Sequence, residues 1–386
     1  MPRLAVINRP KVRSTAYQLL FLALLIWLGV EFALNAKANL EAQRISTGFG
    51  FLGNTAGFNI NMSLISFQES DTYGRVFLVG LLNTLLVAGL GILLATVLGF
   101  IVGIARLSPN WLVARLAGSY VELIRNLPLL FQILFWYLAV LGTLPGPRQS
   151  ISIFGGIFLN NRGLIVPAPV ADDNAVYVIV AFALAAIATI ALLIWARRRQ
   201  ERTGRQVPVF PISAALIIGL PLVAFLAAGS PIGLDFPRLQ GFNFVGGVRL
   251  IPEFLALLTA LVTYTAAFIA EVVRAGILAV ARGQTEAALA LGLRRGQVLR
   301  LIVVPQALRV IVPPLTNQYL NLTKNSSLAV AVGYPDLVAV FAGTTLNQTN
   351  QAMEIIAITM AVYLLISLIT SLAMNWYNAR IRLSER

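Results

Sequence analysis

A short polar run follows an apolar, proline-containing segment in the last quarter of the sequence. Its members are Lys324, Asn325, Ser326 and Ser327. An ammonium group with hydroxyls and backbone amides beside it can hold a carboxylate, because charge-assisted hydrogen bonds are about twice as strong as neutral ones. The alternative is a lysine whose charged end reaches the headgroups of a membrane. Asn317 is a second candidate for a polar lining contact.

Two acid–base pairs have helical spacing: Glu122 with Arg125, and Glu271 with Arg274. Residues three apart meet on one helix surface, so each pair is either a structural ion pair or part of a gate. Ionisable groups inside or near apolar spans are rare and commonly functional. Both interpretations therefore stay open, and for Glu271 and Arg274 we favour a structural pair near the inner membrane surface.

The sequence contains no set of residues for covalent catalysis. It has neither cysteine nor histidine, which excludes disulfides, thiolate chemistry, imidazole metal sites and a Ser-His-Asp arrangement. The phosphate-binding pattern G-x-x-x-x-G-K-[ST] does not occur. We therefore expect no catalytic residue, no metal and no cofactor on this chain, so that any ATP must be bound by a partner.

Composition assigns the chain to the membrane. The mean hydropathy is +0.82, with 58% hydrophobic and 11% charged residues, whereas soluble domains are about 25% charged. The net charge of +14 comes from basic residues in short loops between apolar runs. This distribution is explained by membrane topology, with the arginine cluster at 197–205 either in a solvated loop or in contact with anionic lipid, and it argues against a nucleic-acid partner.

Eight apolar runs predict the spans that must position these residues. They cover residues 16–34, 76–104, 127–144, 175–195, 212–228, 251–279, 310–322 and 352–374. With Lys324 set aside, segments assigned to the outside hold seven Lys and Arg residues and those assigned to the inside hold 21, which predicts that both termini lie in the cytoplasm. Pro313 and Pro314 predict a short or broken seventh span. The alternative for the first run is a cleaved signal peptide.

The stretch 281–309 is a polar loop between two spans. It carries five arginines and one acid, and charges are costly in hydrocarbon. Thr285 is predicted to cap a short helix that begins at Glu286, and Gly292 to end that helix in a left-handed turn. A second helix is predicted to run to Pro305.

This loop resembles the cytoplasmic "EAA" loop of ATP-binding-cassette importer permeases. The matching positions are Glu286, Ala287, Ala288, Gly292, Ile302 and Pro305. A wider set is similar to the polar-amino-acid branch of that family: Tyr264, Ala267, Glu271, Arg274, Gly276, Gly283, Gln284, Gln306, Ala307, Arg309, Pro314, Asn317, Lys324, Ser327 and Leu328. Val304 stands where the family usually has Leu, which is a conservative departure.

The resemblance implies an all-α polytopic membrane protein of about eight transmembrane helices that contains a five-helix type I importer permease core. We expect four parts. Residues 1–74 form an N-terminal helix and outer segment, 75–144 the first part of the core, 145–250 an inserted outer segment with a transmembrane hairpin, and 251–386 the second part of the core.

The function implied by the resemblance is import of polar L-amino acids across the inner membrane. Gly283, Glu286, Ala287, Ala288, Gly292 and Pro305 would couple the chain to a cytoplasmic ATPase subunit that binds ATP and Mg²⁺. A second permease chain, either a sister or an identical copy, and an extracytoplasmic amino-acid-binding protein would complete the importer. Asn325 stands where many relatives have Asp, which disfavours a site tuned to cationic amino acids.

The rival hypothesis is an ion-coupled secondary amino-acid transporter that needs no ATPase. Such a protein predicts inverted repeats and carboxylates at the middle of the membrane. The sequence shows no clear repeat and little acid within its apolar runs. The importer permease is therefore the principal prediction.

Overall fold

The computed structural model describes residues 10–42, 48–204 and 207–381. Six helical stretches in this part of the chain are long and apolar enough to cross a membrane. They are Tyr73–Ala105, Ala175–Thr203, Val209–Ala227, Pro252–Leu278, Arg295–Val332 and Ala352–Arg380. A bent pair of helices, Trp111–Asn126 with Leu129–Leu141, makes seven if it crosses as one span.

The N-terminal helix accounts for the difference from the eight predicted spans. This helix covers Pro10–Ala42, but its apolar part, Ala16–Phe32, is shorter than the long spans. Leu20, Phe21 and Trp27 on it are more than half exposed within the chain. A helix that is apolar on its exposed sides is suited to lipid surroundings.

The helices follow one another along the chain with few long gaps. In chain order they are α1 (Pro10–Ala42), α2 (Tyr73–Ala105), α3 (Trp111–Asn126), α4 (Leu129–Leu134), α5 (Ala175–Thr203), α6 (Val209–Ala214), α7 (Leu220–Ala227), α8 (Pro252–Leu278), α9 (Arg282–Ala290), α10 (Arg295–Val298), α11 (Val304–Asn325), α12 (Leu346–Thr349) and α13 (Ala352–Ile381). Wider π-helical turns lie at Phe135–Leu141, Ala215–Gly219, Leu299–Val303 and Val338–Thr345. Short 3₁₀ segments lie at Gly50–Gly53, Pro147–Gln149 and Ser326–Val332.

One compact unit combines residues 1–130 with 260–386. Its helices approach closely through glycine. A β-carbon at Gly99 of α2 would lie 2.6 Å from Ile269 of α8, and one at Gly276 of α8 would lie 2.3 Å from Ile311 of α11. Small residues at such crossings let helices pack tightly in lipid, where van der Waals contact replaces the hydrophobic effect. Helices α2, α8 and α11 therefore form the centre of this unit.

A second cluster in the same unit joins the segment before α2 to the segment after α11. Phe51 stacks on Phe341 with ring centroids 6.2 Å apart, and Phe77 meets Phe341 edge-on at 5.2 Å. Leu337 and Ile355 are fully buried in the same cluster. This packing fixes the start of α2 against the π-helical stretch Val338–Thr345 and the start of α13.

The other compact unit covers residues 131–259 and contains helices α5, α6 and α7 together with eight short strands. The strands are β1 (Ile151–Ile153), β2 (Ile157–Asn160), β3 (Gly163–Val166), β4 (Ala168–Ala171), β5 (Ile232–Asp235), β6 (Arg238–Gln240), β7 (Asn243–Val245) and β8 (Val248–Leu250). They form an antiparallel sheet in the order β1-β2-β3-β8 and two ribbons, β4 with β5 and β6 with β7. The sequence analysis predicted no strands, because runs of three or four residues are too short for an alternating pattern to be recognised.

Helix α11 corrects one prediction. Pro313 and Pro314 were expected to shorten or break the helix, yet α11 continues through both for 22 residues. Ile311, Val312 and Leu315 are buried on the packed side of the helix and hold it across the two prolines. Proline is tolerated in membrane helices where neighbouring structure supports the backbone. The departures from α-helix lie instead at the ends, in the π turn before Val304 and the 3₁₀ turn after Asn325.

Candidate coupling and translocation site

The loop helix α9 ends as the sequence predicts but begins earlier. Gly292 has φ +82°, and the Leu293 amide donates to the Ala288 carbonyl at 3.2 Å, which closes the helix in a left-handed turn. The helix starts at Arg282, so Thr285 lies inside it and does not cap it. Ala281, with ψ 131°, is the last extended residue before the helix, so α9 has one more turn before Glu286 than predicted.

One side of α9 is open to a partner. Ala288 is 4% exposed, whereas Glu286 and Ala287 beside it are exposed. Leu291, in the turn after the helix, is 83% exposed. A charged residue next to exposed apolar groups on a short helix is suited to insertion into a cleft on another protein.

Rigid connections lead from α9 to the membrane helices. Only residues 279–281 separate it from α8. On the other side, the Gln297 side chain accepts from the Arg294 amide at 2.9 Å and caps α10, which runs through a π turn into α11. Pro305 is the second residue of α11, so the helix after the loop does not end there, contrary to the sequence prediction. Helix α9 is therefore joined to α8 and to α11 by short connections.

Glu271 is the centre of a charge cluster. Its carboxylate pairs with Arg274 on the same helix at 2.7 Å, with Arg106 just after α2, and with Arg125 of α3 at 3.7 Å. Arg125 also lies over the Phe268 ring at 5.1 Å. One carboxylate thus holds the ends of α2 and α3 against α8, and charge-assisted bonds of this kind are the strong ones.

The cluster changes the predicted pairing of Arg125. Sequence spacing offered Glu122 as its partner, but Glu122 is exposed and, in the described part of the chain, takes part in no ion pair. Arg106 was not singled out by sequence reasoning. It is separated from Glu271 by 165 residues, and no local pattern connects two such positions.

The polar residues of α11 divide into two groups. Asn317, Asn321 and Lys324 are exposed and four and three residues apart, so they share one face of the helix. Ser326 is buried and its hydroxyl donates to the Thr323 carbonyl at 2.8 Å. Ser327 donates to the Lys324 carbonyl at 2.7 Å.

The predicted ligand cluster is therefore only partly assembled on one surface. Lys324 and Asn317 lie on the common face, Asn325 is half-buried, and the Ser326 hydroxyl points into the protein. Asn321, which sequence reasoning missed, completes the exposed polar stripe, and its spacing was the available signal. A polar stripe with a lysine is costly against lipid tails, so this face requires an aqueous or protein environment.

A buried polar network ties α2 to the segment after α11. The Asn83 side-chain amide donates to the Pro335 carbonyl at 2.8 Å, and the Leu337 amide donates to the Thr84 hydroxyl at 3.0 Å. Asp336 beside them is fully buried and accepts from the Ala339 amide at 2.8 Å. Asp336 lies between two spans, and burial raises its pKa to about 7.

The fold and the site together define a class of protein: a multi-pass membrane bundle that carries an exposed helix on a loop and a polar stripe on a central helix. Residues 95–383 match the family described as "Binding-protein-dependent transport system inner membrane component". The chain belongs to this family and is a multi-pass inner-membrane protein.

Relatives match the chain over nearly its full length. The general L-amino acid transport system permease protein AapQ of Rhizobium johnstonii is 52% identical over 98% of this chain and 94% of its own. The permease protein YhdX of Escherichia coli, named for amino-acid ABC transport, is 53% identical over 98% and 96%. The glutamate/glutamine/aspartate/asparagine transport system permease protein BztB of Rhodobacter capsulatus is 45% identical over 95% and 92%. Among solved structures, a crystal structure of an amino acid ABC transporter with histidines gives a TM-score of 0.47 at 21% identity, over 80% of this chain and 95% of that chain.

Proposed function

We propose that this chain is the permease subunit of an ATP-binding-cassette importer that carries polar L-amino acids into the cytoplasm. The observation that carries the proposal is similarity over nearly the whole chain to permease proteins of amino-acid transport, at 45–53% identity. The exposed helix α9 supplies the mechanical part that such a subunit needs. A separate ATPase subunit binds ATP and Mg²⁺, and an extracytoplasmic binding protein delivers the solute.

Helix α9 is the element of the permease that the ATPase subunit binds. Glu286 and Ala287 enter a cleft on that subunit, while the buried Ala288 keeps the helix seated on its own loop. ATP binds the closed ATPase pair more tightly than the open pair, and this difference shifts the permease between inward and outward access. Because α9 is joined closely to α8 and α11, closure of the ATPase pair moves both helices. Gly283, Gly292 and Pro305 shape the loop that transmits this movement.

The polar stripe of α11 faces the pathway between this chain and a second permease subunit. Lys324 pairs with the α-carboxylate of the passing amino acid, and Asn317 and Asn321 offer amide contacts along the same face. Ser326 and Ser327 hold the backbone that positions the lysine. A second permease chain removes the stripe from lipid, which is the energetic reason for the pairing. Because residues 131–259 lengthen this chain, a compact sister chain is a suitable second permease subunit.

The chain performs no chemistry of its own in this scheme. Its role is transport without an ATPase site, and hydrolysis takes place on the partner subunits. Both termini are placed in the cytoplasm in this scheme, and the excess of Lys and Arg in the inner segments supports that placement. The basic end of α5 then lies at the inner membrane surface, beside anionic lipid.

ATP-driven uptake of L-amino acids into proteoliposomes tests the proposal. The complete importer with its binding protein is expected to take up solute only with ATP on the side of the ATPase subunits. Uptake that runs on an ion gradient without the ATPase would contradict the proposal and support a secondary transporter.

Gly292→Val in the permease chain is expected to abolish uptake and ATPase association. The residue sits at φ +82°, where a branched side chain is strained, so the turn that ends α9 cannot form. Co-purification of the ATPase subunit with the tagged permease measures the association. Arg202→Gln, on the exposed end of α5, is the matched control and is expected to retain both. Retained association in the Gly292 variant would contradict the proposal that the ATPase subunit binds α9.

A further inference from the structure

A cavity of about 370 Å³ lies in unit 131–259, where β3, β7 and β8 come together. The helices of the transport core contribute no residue to its lining. Ligand pockets for small molecules begin at about 300 Å³, so the cavity is the size of a small solute's site. It is separate from every group assigned above to coupling or to the pathway.

Two arginines without an acidic partner give the cavity its charge. Arg162 and Arg249 both line it. In the part of the chain that the structure describes, neither of them takes part in an ion pair. Arg162 donates to the side-chain oxygen of Asn243 on the rim. Asp235, the acid beside the lining glycines, accepts from the Gly247 amide at 3.0 Å instead of pairing with an arginine.

Two other lining residues, Asn160 and Phe244, are held by local contacts. Asn160 is fully buried, donates to the Ser150 hydroxyl at 2.9 Å and accepts from the Arg162 amide at 2.8 Å. Phe244 packs on Phe158 with ring centroids 4.6 Å apart. The charged groups left for a ligand are therefore the Arg249 guanidinium and the N–H groups of Arg162 that do not bond to Asn243.

Strand pairing fixes the position of one of these arginines. Arg249 of β8 lies opposite Ile165 of β3, and Ile165 is 4% exposed in the wall of the cavity. Sites on paired strands hold a geometry better than sites on free loops. Both arginine side chains are exposed to solvent at the cavity, and the pairing of β3 with β8 fixes the backbone that carries Arg249.

We propose that this cavity binds a small dicarboxylate, with acidic amino acids as the natural ligand class. A guanidinium group binds a carboxylate through two parallel hydrogen bonds, and two arginines match two carboxylates. The proposal rests on the proposed function in one respect: the orientation assigned there places these strands outside the cell, where solute arrives. Acidic solute held here is concentrated at the outer face, apart from the pathway.

Equilibrium binding of radiolabelled L-glutamate to the nanodisc-embedded importer tests this proposal, without binding protein and without ATP. The double variant Arg162→Gln/Arg249→Gln is expected to bind about tenfold more weakly or worse, because each charge-assisted pair is lost. L-Glutamine is expected to compete poorly, since it lacks the second carboxylate. The matched control is Arg238→Gln, an exposed arginine of β6 outside the cavity, which is expected to bind like the wild type.

A second double variant controls for misfolding of the Gln double variant. Arg162→Lys/Arg249→Lys keeps both charges but loses the bidentate geometry, and it is expected to bind with intermediate affinity. Wild-type protein that shows no saturable binding, or a Gln double variant that binds as tightly as wild type, would overturn the site. In a parallel pull-down with the binding protein, a Gln double variant that loses only its affinity for that protein would also overturn the site, because the arginines would then recognise an acidic protein surface. ATP-driven uptake in the same preparation separates the two proposals: uptake without glutamate binding refutes the cavity site alone.

Discussion

Glu271 shows how a single residue organises the end of a helix bundle. Its carboxylate contacts guanidinium groups from Arg106, Arg125 and Arg274, and these come from three different helical segments. The side chain is 28% exposed, so the cluster is only partly shielded from water. Solvent screening reduces the stabilisation that such ion pairs contribute, but a network with several partners retains more of that stabilisation than an isolated surface pair.

Glu271→Gln is expected to lower the thermal unfolding midpoint and to reduce uptake. The amide cannot neutralise three guanidinium groups, and bonds to charged groups each contribute about 1.5–3 kcal/mol before the discount for exposure. Glu122→Gln is the matched control, since Glu122 is exposed and forms no ion pair within the described residues. Scanning fluorimetry of the purified complex measures the midpoint. Equal midpoints in the two variants would mean that the cluster does not hold α2 and α3 against α8.

Asp336 predicts a pH dependence of stability. Burial raises its pKa from 3.8 in the unfolded chain to about 7 in the fold. The stability contributed by this group is therefore fully present below pH 3.8 and is lost as the pH rises through about 7. Asp336→Asn keeps the oxygen that accepts from the Ala339 amide but cannot ionise.

The comparison of wild type with Asp336→Asn between pH 5 and pH 9 measures this effect. The wild type is expected to lose stability relative to the variant with a slope on the order of 1 kcal/mol per pH unit up to about pH 7, and none beyond it. Unfolding midpoints at each pH provide the readout. Parallel curves across the range would show that Asp336 is ionised throughout in the folded protein.

Sequence reasoning at this scale succeeded where partners are close along the chain. The spacing of Glu271 and Arg274 predicted their contact, and the small glycine at position 292 predicted the left-handed turn. It failed for Arg106 and for Asp336, whose environments depend on helices that meet only after folding. Local spacing carries no information about such contacts.

At the scale of elements, the sheet of unit 131–259 depends on one glycine. Gly163 has φ +114°, and a β-carbon there would lie 2.0 Å from the Leu250 carbonyl oxygen. Pairing of β3 with β8 joins strands that are about 85 residues apart in the sequence, so the sheet closes the insertion on itself. No side chain larger than hydrogen fits without moving the backbone of one strand.

Gly163→Ala is therefore expected to separate β3 from β8 and to expose unit 131–259 to protease. Gly146→Ala is the matched control, because Gly146 has φ −66° and nothing lies within 4 Å of the added carbon. Limited proteolysis of the purified complex, followed by mass spectrometry, locates the cuts. Protection of residues 145–250 in the Gly163 variant equal to that in the control would contradict the close approach.

Elements were predictable in proportion to their length. Long apolar runs and the loop helix were found from hydropathy and from the EAA register, which are strong signals over many residues. The eight strands were missed because each is short and because two of the five pairings, β3 with β8 and β4 with β5, join segments far apart in the sequence. The prediction that Pro313 and Pro314 shorten or break α11 was wrong for a different reason. The buried contacts of Ile311 and Leu315 outweigh the low helix propensity of proline.

At the scale of the whole molecule, the chain is an inner-membrane component of a transport system, and in the proposed scheme its ATPase is a separate subunit. The exposed loop helix α9 and the polar stripe of α11 are the surfaces that the proposed partners would cover. The two compact units separate the tasks, since the coupling loop and the stripe belong to residues 1–130 and 260–386, while the cationic cavity belongs to 131–259. Function is therefore a property of the assembled importer.

Sidedness of α9 is the most direct measurement of the central claim, that a cytoplasmic ATPase subunit grips this helix. The chain contains no cysteine, so Glu286→Cys introduces a single thiol, and Leu291→Cys repeats the test in the exposed turn. A membrane-impermeant maleimide is expected to label both variants in inside-out vesicles and neither in intact spheroplasts, with protection when the ATPase subunit is bound. Labelling from outside the cell would contradict the account, because no cytoplasmic subunit could then reach the helix.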